Sequence, residues 1–500
     1  MIESDEHPLF VVVGNVNQGK SSIVRTLTEN GDVPVDSYPG TTTKAARYVF
    51  RAEGKELFTL VDTPGFQEPR HVLRWLQQHA KSPAERPAAV KAFVDEHRGG
   101  ERFQDECELL TPLIEGAGIL YVVDASSRFQ PANEAEMEIL RWTGQPGMAL
   151  LNRAREESPD HDEILTEWRG VLTQYFNAVR EFDAHSAQFT DRIGLLRAFA
   201  ELRDDWREVV KRAVDALEED WRSRTRQTAQ VITSLMQEAI GHKERHTLKE
   251  GEGVEQIQDE LRGRYRSTLV VREQEAWRSV EELYGFDDIE RPEGQLPTDL
   301  REALFDKRSF QLFGLSRTEM MKHGLWIGGT SGAAIDAAVG GLSFGTGLVI
   351  GAVAGGVGGW FGTPVAAESW SKRMPKVPRA LARNLPGRLG RGLVAPIGEV
   401  LEIGPAHAHF AWVLFERALV HAIAIRRRAH AHTGELSLTE ETKAVHDLRQ
   451  ESTWFREASR VLGELIEDAK RGRPTTERYE LRGFIERSLS RLETSDSAAS

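Results

Sequence analysis

The stretch Gly14-Asn-Val-Asn-Gln-Gly-Lys-Ser21 constrains this chain more than any other. It follows the apolar run Leu9–Val13 and leads into Ser22–Glu29, which has helical character. A short apolar run closed by glycine reads as a strand buried on both faces, and such strands belong to parallel sheets covered by helices. A glycine-rich turn between that strand and a helix N-terminus is a cradle for polyphosphate, a P-loop. The backbone N–H groups of Gly14, Asn15, Val16, Asn17, Gln18 and Gly19 can curl round the phosphates, while Lys20 reaches the β and γ groups. The Ser21 hydroxyl can hold Mg²⁺, with Ser22 beside it in the first helical turn.

The residues that follow extend this to a nucleotide-sensing arrangement. A polar loop from Asn30 ends in Pro39-Gly-Thr-Thr-Thr43 before a strand at 47–50, and Thr42 is the residue expected to coordinate Mg²⁺ and sense the γ-phosphate. The strand Leu57–Val61 ends in Asp62-Thr-Pro-Gly65, where Asp62 can serve the Mg²⁺ shell and the Gly65 N–H can meet the γ-phosphate. Phe66 stands where a water-orienting glutamine is common, and Gln67 is out of register, so the water must be recruited otherwise. Residues 68–116 form an insertion with helical patterns around Val72–His79 and Phe103–Ile114, joined by a Pro-containing polar stretch. Strands follow at Ile119–Asp124, Met148–Asn152 and Val179–Ala184, with helices between them. Asn152 keeps the asparagine of a guanine-reading motif, but Arg153-Ala-Arg155 lacks its aspartate. Ala184 lies where a loop would close over the base.

Together these residues resemble Era-like and TrmE-like bacterial GTPases. The stretches AERPAAVKAFVDEHRGGERFQDE, GILYVVDA, LFGLSRTE and GPAHAHFAWVLFERALVHAIAIRRRAH extend the likeness to a bacterial group in which such a G domain is fused to a C-terminal helical domain. The resemblance implies GTP as the nucleotide and Mg²⁺ as its cation, with Lys20, Thr42, Gly65 and Asn17 in the chemistry. An asparagine in the P-loop of such enzymes accompanies K⁺, and Asn17 is at that position.

Beyond the G domain, apolar residues from Leu195 to Trp221 recur every three or four positions. They predict a long amphipathic helix or a helical hairpin over about 192–246. Gly251 and Gly253 break this pattern, Val254–Tyr284 resumes it, and Pro292, Gly294 and Pro297 mark a hinge. From Ala337 to Ala367 no side chain is charged, and Gly347, Gly351, Gly355 and Gly359 recur at four-residue steps. Glycine costs about 1 kcal/mol against alanine in a helix in water, so the series implies close helix contact or a nonaqueous setting. Two short legs forming a re-entrant or interfacial hairpin fit this better than one span, and a buried soluble hairpin stays open. Lys372, Arg373, Lys376, Arg379, Arg383, Arg388 and Arg391 follow without an acidic residue from Ser369 to Gly398, which suits anionic lipid, with RNA phosphate second. A helix is predicted over Phe410–Arg428, and further charged helices over about 437–470 and 476–492. The histidines between His407 and His432 are spaced too irregularly for zinc.

The fold expected is an α/β P-loop G domain over 1–200, with the insertion at 68–116, followed by a mainly α-helical C-terminal part. The latter divides into a stalk-like region (201–323), a glycine-zipper apolar hairpin (324–362), a basic linker (363–396), C-terminal helices (397–492) and a disordered tail (493–500). A net charge of −13 argues against wholesale coating of nucleic acid. Cys107 alone excludes an intrachain disulfide and a cysteine zinc cage. The acidic N-terminus lacks the features of a secretory signal, so a cytoplasmic protein is expected, in peripheral or re-entrant contact with the inner membrane through 324–391. The function expected is a K⁺-stimulated GTPase switch, with a homodimer through the G domain as a further partner reading. An RNA or ribosome-assembly GTPase and a nucleotide-binding scaffold with negligible turnover use the same residues.

Overall fold

The computed structural model describes residues 7–14, 19–29, 45–52, 55–100, 102–152, 161–286, 348–351, 400–404, 408–429, 439–472 and 479–497. These fall into two compact units, Met1–Arg224 with Arg426–Gly434, and Thr225–Ile425 with Glu435–Ser500.

The first unit is a three-layer α/β domain on a six-stranded sheet. Its strands are β1 (Leu9–Val13), β2 (Ala46–Ala52), β3 (Lys55–Asp62), β4 (Gly118–Asp124), β5 (Gly147–Asn152) and β6 (Ala178–Glu181), in the order β2-β3-β1-β4-β5-β6. Only β2 runs antiparallel. Alternation along the strands sorts the core. Phe10, Val12, Leu120 and Val122 face one side, where they meet α1 (Lys20–Thr28), α7 (Phe189–Ala200) and the start of α8 (Arg207–Gly241). Val11, Val13, Ile119, Tyr121 and Val123 face the other, against α2 (Pro69–His79), α3 (Arg86–His97), α4 (Gln104–Ile114), α5 (Pro131–Trp142) and α6 (His161–Leu172). Strand order reverses about β1, so the crevice beyond its C-terminal end, where sheets of this kind bind ligands, receives Gly14 and the start of α1 at Lys20 and Ser21.

Several boundaries differ from expectation. The Pro-containing stretch of the insertion holds a whole helix, α3, preceded by a single 3₁₀ turn at Pro83–Glu85. Its prolines occupy first-turn positions, where a missing N–H does no harm, while Ala89, Val90, Phe93 and Val94 fill the core. The last strand ends at Glu181 rather than Ala184. The amphipathic stretch from Arg192 divides at Asp204–Trp206, so α7 and α8 are separate helices, and Val210, Ala213, Val214 and Leu217 of α8 join the core of the first unit.

The second unit continues α8 and adds α9 (Val254–Leu283), α10 (Ala408–Arg427), α11 (Thr439–Gln450), α12 (Ser452–Lys470) and α13 (Tyr479–Ser497). Phe410 to Ile425 of α10 are buried throughout. Trp412 and Phe415 stack with Phe455 and Phe484 at 5.0 and 6.0 Å. Ion pairs lie in this core among the described residues. Arg417 donates to both Glu273 oxygens at 2.7 and 3.0 Å, His421 meets Glu281 at 3.0 Å, and Arg449 donates to both Glu416 oxygens at 3.1 Å. A small antiparallel sheet accompanies the helices, β7 (Glu244–Thr247), β8 (Leu348–Gly351) and β9 (Val400–Ile403), in the order β7-β9-β8. At Leu348–Gly351 the glycine-rich region is therefore strand, not helix, in keeping with its β-branched Val349 and Ile350. The rest of 324–362 and the basic linker lie outside the described residues. Glu451 is extended (φ −71°, ψ 114°) and splits the expected 437–470 helix in two. Helix α13 runs to Ser497, into the tail read as disordered. No helix among the described residues is long and apolar enough to cross a membrane.

Candidate functional site

The site forms where β1, β3 and β5 end beside the start of α1. Gly14 has φ +152°, and a Cβ there would stand 2.2 Å from the Val122 carbonyl oxygen, so only glycine fits. Lys20 opens α1, and its Nζ donates to the Gly14 carbonyl at 2.9 Å. The side chain is buried, which pulls the ammonium below its ordinary range, while the charges of Asp62 and Glu136 push it back up. A cation so held, stripped of water and facing a backbone turn, is suited to a polyanion that replaces its carbonyl partner.

One residue on, the Ser21 hydroxyl donates to Asp62 Oδ2 at 2.8 Å, joining groups 41 positions apart at the end of β3. Mg²⁺ takes oxygen ligands at about 2.0–2.1 Å in octahedral geometry, which sets neighbouring ligand oxygens about 2.9 Å apart. The hydroxyl and carboxylate are thus of the right kind and at the right separation for a hard divalent cation. No cluster of three or more His, Cys, Asp or Glu suited to a metal occurs among the described residues.

Beyond Asp62, Thr63 donates to the Val12 carbonyl at 2.8 Å and ties the loop to β1. Gly65 follows with φ +83°, and a Cβ there would lie 2.7 Å from the Gly14 carbonyl oxygen and 3.6 Å from Lys20 Nζ. The backbone of Gly65 therefore lies against the phosphate loop. Phe66 is buried in the core on the α2–α6 face of the sheet and is a packing residue.

On the other side of the loop, Asn152 is fully buried at the end of β5. Its Oδ1 accepts from the Ala184 N–H at 3.3 Å, and its Nδ2 lies 2.2 Å from where a Gly19 Cβ would be. Thr26 of α1 donates to the Ala184 carbonyl at 2.8 Å. Asn152 thus links the phosphate loop to the Ala184 loop. Asn15, Val16, Asn17, Gln18, Thr42 and the segment 153–160 lie outside the described residues; Ser22 is buried in α1.

Three acidic residues beside the site escaped the sequence reading. Glu136 of α5 is fully buried, accepts from the Tyr121 hydroxyl at 3.0 Å, and its other oxygen has no hydrogen-bond partner. Burial pushes its carboxyl up to about 7, against the pull of Tyr121 and Lys20. The available signal was a glutamate on the inward stripe of a helix, four residues before Leu140. Glu106 and Glu108, on the insertion helix α4, contact the loops on either side of the site.

Two family models match the chain. Residues 9–153 match the family described as 50S ribosome-binding GTPase, and residues 169–481 the domain of unknown function DUF3482. The first unit therefore carries a P-loop GTPase domain. Among curated proteins, the GTPase Der of Nitratidesulfovibrio vulgaris is 27% identical over 183 residues, covering 36% of this chain and 33% of that protein. The GTPase Der of Latilactobacillus sakei is 30% identical over 139 residues, covering 27% and 32%. The chain spans about a third of the length of these relatives. Among solved structures, Era in complex with MgGDPNP and nucleotides 1506–1542 of 16S ribosomal RNA has a TM-score of 0.29 at 14% identity, covering 56% of this chain and 90% of that one. A GTP-binding protein from Sulfolobus solfataricus in complex with GDP has a TM-score of 0.22 at 18% identity, covering 41% and 53%.

Proposed function

We infer the function of this chain from the premise that it belongs to the family of the domain of unknown function DUF3482, which here follows a P-loop GTPase domain. The reading is a GTP-binding and GTP-hydrolysing switch. The observation that carries it is the convergence of Lys20 on Gly14 and of Ser21 on Asp62 at the strand ends where Gly65 meets the same loop.

In this reading Lys20 leaves the Gly14 carbonyl for the β and γ phosphates, and the Gly65 N–H faces the γ-phosphate. Water attacks phosphorus in line, the bond to the β-γ bridging oxygen breaks, and GDP departs with that electron pair. Lys20 and the loop amides hold the charge that develops. Ser21 and Asp62, with Thr42 on the sequence, would hold Mg²⁺, which would supply neutralisation of the phosphate charge. Phe66 is engaged in the core and cannot orient the water. We assign rate assistance to K⁺ at Asn17, a proposal that rests on the sequence. Hydrolysis in KCl against NaCl tests it: the wild type is expected to be faster in KCl and Asn17→Ala indifferent, whereas equal rates in all four conditions would remove the cation. Binding of GTP against ATP and xanthosine triphosphate tests the base, since Asn152 stands without the usual aspartate.

For the location of the switch, the uncharged run 337–367 and the acid-free basic run 369–398 support an anionic membrane surface. The description of the matching family as ribosome-binding supports a second reading, in which the basic run grips RNA. Pelleting with membranes through high salt, and not with ribosomes, is the outcome expected of the first; the reverse supports the second.

A further inference from the structure

The insertion between β3 and β4 reaches both loops that flank the phosphate site. The Glu106 side chain is 1% exposed, and a buried carboxylate is tolerated only with strong partners. It has them in the chain just beyond Gly65: one oxygen, Oε1, accepts from the Gln67 N–H at 2.9 Å and the Glu68 N–H at 2.7 Å. Charge-assisted bonds of this kind are about twice as strong as neutral ones. Arg102, at the approach to α4, adds a second hold on the same segment by donating to Glu68 Oε2 at 2.6 Å. Two residues along the helix, Glu108 Oε2 accepts from the Ala45 N–H at 2.9 Å, two positions after Thr41–Thr43 in the sequence. Side chains at i and i+2 project about 200° apart on a helix, so α4 reaches one segment with each.

We propose that Glu106 and Glu108 are positioning residues, and that they make α4 the anchor of both nucleotide-sensing segments. Glu106 holds the backbone after Gly65 so that the Gly65 N–H stays aimed at the γ-phosphate, and Glu108 holds Ala45, the residue by which the Thr42 segment leads into β2. The inference rests on the GTPase reading and adds to it a role for the insertion. A γ-phosphate is what these segments recognise, so loosening them weakens the triphosphate state and the hydrolytic step while sparing the diphosphate.

The test is steady-state hydrolysis of GTP by the full chain, with separate titrations of GTP and GDP, for wild type, Glu106→Ala, Glu106→Gln and Glu108→Ala. Glu106→Ala is expected to lower kcat about tenfold or more and GTP affinity severalfold, with GDP affinity within about twofold. Glu106→Gln keeps the acceptor oxygen and is expected to recover most of the loss. Glu108→Ala, at a half-buried position, is expected to show the same GTP-against-GDP split at about threefold, and it decides the matter if Glu106→Ala does not fold. Equal losses for GTP and GDP, or an unchanged kcat in both alanine variants, would overturn the anchor. A wild-type chain that binds neither nucleotide would instead overturn the GTPase reading itself.

Discussion

Replacing Glu136 by glutamine should make the first unit more stable at high pH and leave it unchanged at low pH. The carboxyl is fully buried, and burial pushes it up to about 7 from the ordinary 4.5. The folded chain therefore keeps the Glu136 proton to about pH 7, whereas the unfolded chain releases it near 4.5. Between those values the folded state binds more protons, so stability is full below about 4.5 and is lost as pH rises through about 7. The gap, at 1.36 kcal/mol per pH unit, is worth about 3 kcal/mol. Glutamine has the same shape, can still accept from the Tyr121 hydroxyl, and carries no charge to bury. The assay is hydrogen exchange of the Leu120–Val123 amides in β4, corrected for intrinsic rate, at pH 5 and pH 8. The expected result is wild type and variant within about 1 kcal/mol at pH 5, with the variant ahead by about 2–3 kcal/mol at pH 8. An advantage of the same size at both values, or none at pH 8, would refute the argument.

Two further outcomes follow from single contacts. Arg417→Ala leaves Glu273 without its partner in the core of the second unit and is expected to cost about 3–5 kcal/mol, whereas the double change Glu273→Met with Arg417→Met should recover most of that; denaturant unfolding of the wild type and both variants checks it. Gly65→Ala places a Cβ 2.7 Å from the Gly14 carbonyl oxygen at φ +83° and should weaken triphosphate binding about tenfold while leaving diphosphate binding near the wild-type value, as measured by calorimetric titration.

Much of the first unit could be read from the residues because its strands are buried on both faces. Leu9–Val13 is apolar throughout, and the strand occupies those same five residues. The P-loop reading placed Lys20, Ser21, Asp62 and Gly65 at one locus, and the structure brings those four together. The fold class was legible for the same reason, since strands and helices alternate in sequence. What escaped depends on contacts between distant segments. Helix α3 hides behind Pro83 and Pro87, which read as loop until their first-turn positions are known. Strand β7 is Glu-Arg-His-Thr, with no apolar residue to announce it, and exists because β9 pairs with it. Glu106 reads as one acid among several in Asp105–Glu108; its burial and its two backbone donors appear only once the segment after Gly65 folds over it. Glu136 lies on the inward stripe of α5, but the sequence does not announce the Tyr121 hydroxyl, fifteen residues away, that meets it in the core.

The central claim is that this loop holds and hydrolyses GTP. The most direct measurement is phosphate release from GTP by the purified full chain in Mg²⁺, compared with Lys20→Ala. The account predicts turnover by the wild type and a loss of about a hundredfold or more in the variant, because Lys20 alone is asked to carry several kcal/mol of charge stabilisation. Wild-type protein that neither binds nor hydrolyses GTP, or a Lys20→Ala variant that turns over at the wild-type rate, would contradict it.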